Sequence, residues 1–420
     1  MTAPIQPLND YLGAPSRPAA PGANDLDQLI ARRLPGHSLE QPFYVSEEIF
    51  KTDMERIWKR NWLFAGFSCQ MPQPGDYLTY QVGDDSLLFI RGKDGVARGF
   101  YNVCRHRGSV ICKEDAGHVT NLVCPYHQWV YDLDGKLKLG RHMEPDFDKE
   151  PWGLIAFPVR ECEGFIWGCP SENPPDFAPM QKGLEHHLKI HKLGEAKVAH
   201  SLKKRVRANW KLMVENFREC YHCDGAHPEY CGSVISAAVL NSKANALEEQ
   251  LIEKEERARW ESMGVPADSE WFTTDSWWLF WRFPLRRGFK SLTKDGTPAG
   301  PLMGDFKDHM GVMAVTTCPG TWLEASTDYA MIIRITPVSA LYTDLDMTWL
   351  VRGDAVEGKD YDLAKVTAVW TATGGQDTRL CEDNQRGVDS HAYRPGPYAP
   401  SEGGTEVFVQ WYLKQLQKNA

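Results

Sequence analysis

Residues 104–129 read CRHRGSVICKEDAGHVTNLVCPYHQW, a Cys-x-His pair and a Cys-x-x-His pair separated by seventeen residues. Each pair offers one thiolate and one imidazole, so two loops brought face to face would present two of each to a metal centre. A single zinc ion would accept that set, although zinc-finger sequences more often keep a cysteine pair apart from a histidine pair. A two-iron, two-sulfide cluster suits the mixed loops better: two cysteines hold one iron and two histidines the other, and each loop reaches both. Neutral imidazoles in place of two thiolates also reduce the negative charge and raise the potential. A lone Cys or His would read as a core residue, but four at this spacing read as a metal site.

Around the motif, from Trp62 to about Cys169, the runs YLTYQV, SLLFIR, NLVC, WVYDL, LIAFPV and GFIWG are separated by turn signals such as KDG and LDG, which predicts a compact all-β domain. Before it, Ser46 caps a predicted amphipathic helix whose Ile49, Phe50, Met54, Ile57 and Trp58 share one face. After it, PSENPPDFAPM (Pro170–Met180) carries four prolines in eleven residues and marks a domain junction. Beyond come predicted helices near 209–221, 246–263, 361–389 and 406–417, with strand-like runs between Trp277 and Val351. The expected class is α+β with an antiparallel sheet. The chain thus divides into an N-terminal arm (1–45) that opens rich in Pro, Ala and Gly, a β domain with its leading helix (46–170) and an α+β domain (171–420).

At 420 residues the chain can fill two or three cores, and its net charge of −9 offers no global positive field for nucleic acid or an anionic membrane. Eleven scattered cysteines do not form a secreted disulfide framework, and no signal peptide or membrane-length apolar run is found. A cytoplasmic enzyme of small molecules is expected.

A second constellation lies in NWKLMVENFRECYHCDGAHPEYC, Asn209–Cys231. Trp210, Met213, Val214, Phe217 and Tyr221 form a helical core stripe and leave Glu215, Glu219 and His222 toward another face. His222 and His227 would stand about 140° apart on an unbroken helix, too far to share a metal easily, so Gly225 is expected to break it. Two imidazoles and a carboxylate make the 2-His-1-carboxylate triad that holds Fe(II) with positions left open.

CRHRG followed by CPYHQW resembles the cluster-binding loops of the Rieske-type non-heme iron oxygenases, and the resemblance runs from about Phe43 to Leu413. It implies a Rieske domain with Cys104, His106, Cys124 and His127 on a [2Fe-2S] cluster, followed by a helix-grip-type catalytic domain. There, His222 and His227 would bind mononuclear iron with an Asp from a distant C-terminal helix. The matching segment RLCEDNQRGVDS places Asp383 at that position, with Glu382 as the neighbouring competitor. Glu219 stands where aromatic-ring members of the family carry Asp, a residue that bridges the cluster of one subunit to the iron of the next. A homotrimer is therefore implied, with O2 as co-substrate and NAD(P)H electrons delivered by a separate flavin/iron-sulfur reductase.

The stretch ENFRECYHC…HPEYC, with YRPGPY at 393–398, resembles the members that demethylate quaternary ammonium compounds such as glycine betaine or stachydrine. That implies hydroxylation of an N-methyl group and release of formaldehyde. DSWWLFWRFP offers Trp278 and Trp281 as candidate walls of a cation cage, on opposite faces if the run is a strand, while Arg282 and Arg334 are candidates for the substrate carboxylate. KKRVR (203–207) reads as a solvated basic face, with docking of an electron-donor protein as the alternative. The competing readings are an aromatic-acid hydroxylating or O-demethylating Rieske oxygenase, a non-catalytic Rieske electron-transfer protein and a zinc-binding structural module.

Overall fold

Strand Asp85–Arg91 sends Leu87 and Phe89 to one face and Leu88 and Ile90 to the other, all four fully buried. Side chains that alternate across a strand covered on both faces must serve two cores. Leu87 and Phe89 join a large core that runs through Trp62, Phe64 and Trp167 into the C-terminal half; Leu88 and Ile90 join a smaller one with Cys104, Cys124, Trp129 and Tyr131. The cluster motif therefore has a hydrophobic base of its own, attached to the rest by a shared strand. The computed structural model describes residues 26–234, 243–271, 273 and 277–418, with side chains left out for 243–247, so the start of the expected arm lies outside the described residues.

The β-rich half matches the predicted runs. An antiparallel sheet orders Ala116–His118, Asp76–Val82, Asp85–Arg91, Ala97–Tyr101 and Ala156–Phe157, and a small three-stranded sheet of Leu122–Val123, Val130–Tyr131 and Leu137–Leu139 carries the second cysteine loop. A third, of Leu63–Phe67, Phe165–Gly168 and Val159–Cys162, packs its aromatic residues into the large core.

The C-terminal half is built on one antiparallel sheet in the order Ala196–Val206, Tyr342–Arg352, Tyr329–Ser339, Thr321–Ala325, Val312–Thr317, Trp278–Phe283. Sequence pattern missed the helix Ala178–Leu188, which starts inside the proline-rich junction, and the edge strand Ala196–Val206, whose outer residues are polar and whose hydrophobic alternation is weak. The basic run ends this strand: Arg205 pairs with Asp344 and Arg207 with Asp389. The long helix Leu363–Val388 packs on helix Trp210–Asn216 and on this strand. No helix among the described residues is long and apolar enough to cross a membrane.

The leading helix starts as expected, Ser46 Oγ accepting the Ile49 N–H at 3.3 Å, and it continues from Glu47–Asp53 into a π-helical turn, Met54–Trp58. Asp53 ends its regular part in the protein interior. Its Oδ2 accepts from Lys211 Nζ (2.5 Å) and Trp210 Nε1 (3.0 Å), and its Oδ1 from the Tyr412 hydroxyl (2.7 Å). Both charged side chains are 0% exposed, and burial pushes the carboxyl up and the ammonium down from their ordinary pKa values. Lys211 Nζ also sits 5.0 and 5.1 Å from the Trp210 and Tyr412 ring centres. One buried pair thus ties the leading helix, the helix that enters the second constellation and the C-terminal helix Gly403–Lys418. Asp53→Ala strands a buried ammonium and should cost about 3–5 kcal/mol of unfolding free energy. Chemical denaturation checks this; a loss below about 1 kcal/mol would place the pair among the weak surface bridges instead.

Candidate metal centres

The two cysteine loops fold alike. Cys104 accepts the Gly108 N–H on its carbonyl and donates its own N–H to Ser109; Cys124 does the same with Gln128 and Trp129. The fifth residue of each loop lies at positive φ, 76° for Gly108 and 57° for Gln128, which closes each turn tightly. Cys104 and Cys124 are buried side by side, while His106 and His127 lie nearer the surface with ring centres 4.6 Å apart. His106 stacks on Trp129 at 4.8 Å, and the Tyr131 hydroxyl lies 3.2 Å from Cys104 Sγ. Burial raises the Cys104 thiol above its ordinary pKa, and desolvation with neighbouring His106 and Arg107 holds the His127 imidazole below its own. Two buried cysteines beside two imidazoles on matching loops suit an iron cluster, whose positive charge stabilises thiolates that burial alone would disfavour.

The second constellation departs from the expected helix. Helix Trp210–Asn216 stops five residues earlier than predicted, and His222 caps a short helix, Cys223–Ala226. Gly225 lies inside that helix; the break comes at His227, because Pro228 has no N–H and disfavours the helical conformation before it. His222 Nε2 and His227 Nε2 approach to 3.0 Å.

The carboxylate between them is Asp377. Its Oδ1 lies 2.9 Å from His227 Nε2 and 3.3 Å from His222 Nε2, in a side chain 2% exposed. Asp383 is corrected here: it is exposed and pairs with Arg386. Six residues along a helix turn a side chain by about 240°, so the two carboxylates cannot serve the same face. Glu382 is half-buried, accepts the Arg207 N–H and does not enter the site either. The missed signal was the buried stripe Trp370, Thr373, Asp377, Cys381, Gln385 and Val388, on which Asp377 is the one carboxylate.

Each imidazole is held from behind. His222 Nδ1–H donates to Glu219 Oε1 at 2.5 Å, and His227 Nδ1–H donates to Gln376 Oε1 at 2.9 Å, with Gln376 in turn donating to Glu229. Such partners fix the tautomer and leave both Nε2 lone pairs facing inward. Burial opposes protonation of His222, but Asp377 and Glu219 outweigh it and lift the imidazole to about 9. Asp377 Oδ1 accepts no hydrogen bond of proper geometry. Three potential ligand atoms thus converge on one point, where the two Nε2 atoms share a proton when no metal is bound, and a divalent cation that displaces that proton is what such a set fits.

A cavity of about 670 Å³ opens onto these side chains, walled by Phe217, Tyr230, Trp281, Trp322 and Trp370. Of the two cage candidates, Trp281 faces the cavity with Leu279 and Phe283, as strand alternation requires. Trp278 is corrected: it lies on the other face of the strand and donates its Nε1–H to Glu270. Neither arginine candidate presents its guanidinium to the cavity. Arg282 is spent on the carbonyls of Pro266 and Met310, and Arg334 on Asp346 and the Ala65 carbonyl. Arg218, which sequence reading passed over, lines the cavity and reaches Cys318 Sγ at 3.3 Å.

Asp377→Ala should lose the mononuclear iron and substrate-dependent oxygen uptake while keeping the visible spectrum of the cluster; Asp383→Ala should keep all three. Iron and acid-labile sulfide per chain, measured beside oxygen uptake, separate the two. Iron loss in the Asp383 variant alone would reverse the assignment.

Comparison with known proteins places both halves. The Rieske [2Fe-2S] domain family matches residues 61–158, and the catalytic domain of the ring hydroxylating alpha subunit matches residues 193–418. The chain is 40% identical to the glycine betaine monooxygenase oxygenase subunit of Pseudomonas aeruginosa (strain UCBPP-PA14), over 97% of this chain and 95% of that protein. It is 36% identical to the carnitine monooxygenase oxygenase subunit of Acinetobacter baumannii over 46% of this chain and 53% of that one. Among solved structures, the quaternary ammonium Rieske monooxygenase CntA in complex with an inhibitor superposes with a TM-score of 0.71 at 25% identity, covering 93% of this chain and 98% of that one. Naphthalene 1,2-dioxygenase, at 21% identity and a TM-score of 0.62, shares the fold. With paired cysteine–histidine loops in a β domain and two imidazoles and a carboxylate converging in the sheet-and-helix domain, the chain belongs to the Rieske-type non-heme iron oxygenases, enzymes that couple a [2Fe-2S] cluster to a mononuclear iron site.

Proposed function

We propose that this chain is the oxygenase subunit of a monooxygenase that removes a methyl group from a quaternary ammonium betaine, glycine betaine or a compound of similar size. The observation that carries the reading is the aromatic-walled cavity opening directly onto His222, His227 and Asp377. A trimethylammonium group has no N–H to donate and is bound through aromatic faces. The likeness to glycine betaine monooxygenase along nearly the whole chain supports the same class.

In this reading Cys104, His106, Cys124 and His127 hold the cluster, and His222, His227 and Asp377 hold the mononuclear iron. The bound iron supplies the O2-derived oxidising power that inserts oxygen into a C–H bond beside nitrogen. The aromatic walls place the methyl group toward that metal and keep water away from it. Arg218, at the cavity wall, is suited to the substrate carboxylate. Glu219 holds the Nδ1–H of His222 and so lies on the path by which an electron reaches the site. By the family's architecture the electron comes from the cluster of a neighbouring subunit in a homotrimer, refilled by a separate NAD(P)H-dependent flavin/iron-sulfur reductase. The balance is one quaternary ammonium, one O2, two electrons and two protons giving one protonated tertiary amine, one formaldehyde and one water.

Two outcomes are expected. Given a reductase and a panel of glycine betaine, stachydrine, carnitine, choline and simple aromatic acids, iron-loaded enzyme should release formaldehyde in proportion to oxygen consumed with one quaternary amine; turnover of an aromatic acid alone would overturn the substrate class. Glu219→Ala should slow reoxidation of the pre-reduced cluster by O2 and substrate by about 10–100-fold with the iron retained. Unchanged reoxidation would remove Glu219 from the electron path.

A further inference from the structure

Glu324 is a carboxylate in an unusual place. It lies in strand Thr321–Ala325 near the middle of the large sheet, its side chain 1% exposed, and it lines the cavity beside Trp322. The cross-strand row reads Trp281, Ala314, Glu324, and the next reads Leu279, Thr316, Trp322. Directly opposed residues point to the same face of a sheet, so Trp281 and Glu324 share the cavity face with only the small side chain of Ala314 in the row between them.

The hydrogen bonding of this carboxylate is one-sided. Oε1 accepts from the Tyr230 hydroxyl at 2.9 Å and from Trp322 Nε1 at 3.3 Å. Oε2 is buried and accepts none, and no Lys, Arg or His among the described residues pairs with the group. A buried carboxylate that lacks a countercharge is costly, and burial raises this one to about 8. A cation entering the cavity would relieve that cost and favour the ionised form. Tyr230 and Trp322 fix Oε1 and so hold the carboxylate in place, and its charge when ionised has no compensating cation beside it. That is the match for a nitrogen that carries charge and has no N–H. The same two donations make both rings more electron-rich, and both rings wall the cavity.

We propose that Glu324 is the countercharge for the quaternary nitrogen, and that it makes the cavity select a trimethylammonium cation over its neutral carbon isostere. This rests on the quaternary ammonium reading above and names the residue that enforces it. Glu324 contacts no iron ligand, and its role is specificity.

The test is equilibrium binding by calorimetry to purified holoenzyme, with glycine betaine and its neutral-headed isostere 3,3-dimethylbutanoate as the two probes. Wild type should bind the cation at least about 10-fold more tightly than the isostere. Glu324→Gln, which keeps an acceptor for Tyr230 and Trp322, should erase most of that preference by weakening the cation alone, raising KM with kcat within about threefold. Glu324→Asp should restore part of the preference, and it keeps the test open should the Gln variant fail to fold. Equal weakening of both probes would show a packing role, and an unchanged preference in the Gln variant would remove Glu324 from recognition. A Glu324-dependent preference in an enzyme that releases no formaldehyde would uphold the recognition site and sink the demethylase reading. Normal demethylation with no dependence on Glu324 would do the reverse. Wild type that binds neither probe overturns both.

Discussion

Two imidazole nitrogens and a carboxylate oxygen, all within 3.3 Å of one another, are the constraint around which the C-terminal half is organised. Left alone, such donors repel or capture protons, and the high pKa of His222 expresses that tension. The protein holds them together by securing each from behind, His222 through Glu219 and His227 through Gln376, and by mounting Asp377 on the buried face of a long helix. That helix packs on helix Trp210–Asn216, which is itself fixed through Lys211 to the buried Asp53. The stability of the large core and the geometry of the metal site are thereby connected.

Much of this was legible in the sequence. The spacing of Cys104, His106, Cys124 and His127 requires two matching loops, and the structure supplies loops with the same backbone hydrogen bonds and a positive φ at the same place. The strands of the β domain were readable because their hydrophobic runs are bounded by turns. Four helices of the C-terminal half were readable, although the one beginning at Trp210 proved shorter, while helix Ala178–Leu188 was hidden at the edge of the proline-rich junction.

What escaped was set by contacts distant in sequence. Nothing local distinguishes Asp377 from Asp383: both sit in the same helix, and the choice depends on which face of that helix meets helix Trp210–Asn216. A helical phase taken from Val366, Trp370 and Thr373 would have selected Asp377, whereas motif spacing alone pointed six residues on. Helix 209–221 was overextended because apolar spacing persists through Phe217 and Tyr221 after the backbone has left the helix. Glu324 could not be singled out at all, since a glutamate in a largely apolar strand acquires its meaning only from Tyr230, which donates to it, and from Trp281, two strands away on the same face.

The site therefore joins a metal centre to an aromatic cavity with the buried carboxyl group of Glu324 in its wall, an arrangement suited to holding a methylated cation beside an oxidant. The most direct measurement is electron paramagnetic resonance of the reduced protein treated with nitric oxide, which reports mononuclear ferrous iron separately from the cluster. A high-spin iron-nitrosyl signal that changes shape when a trimethylammonium substrate is added is the predicted result, because cavity and metal site are contiguous. Protein with a full complement of cluster and mononuclear iron that gives no such signal, or a signal indifferent to every quaternary ammonium compound, would contradict the account.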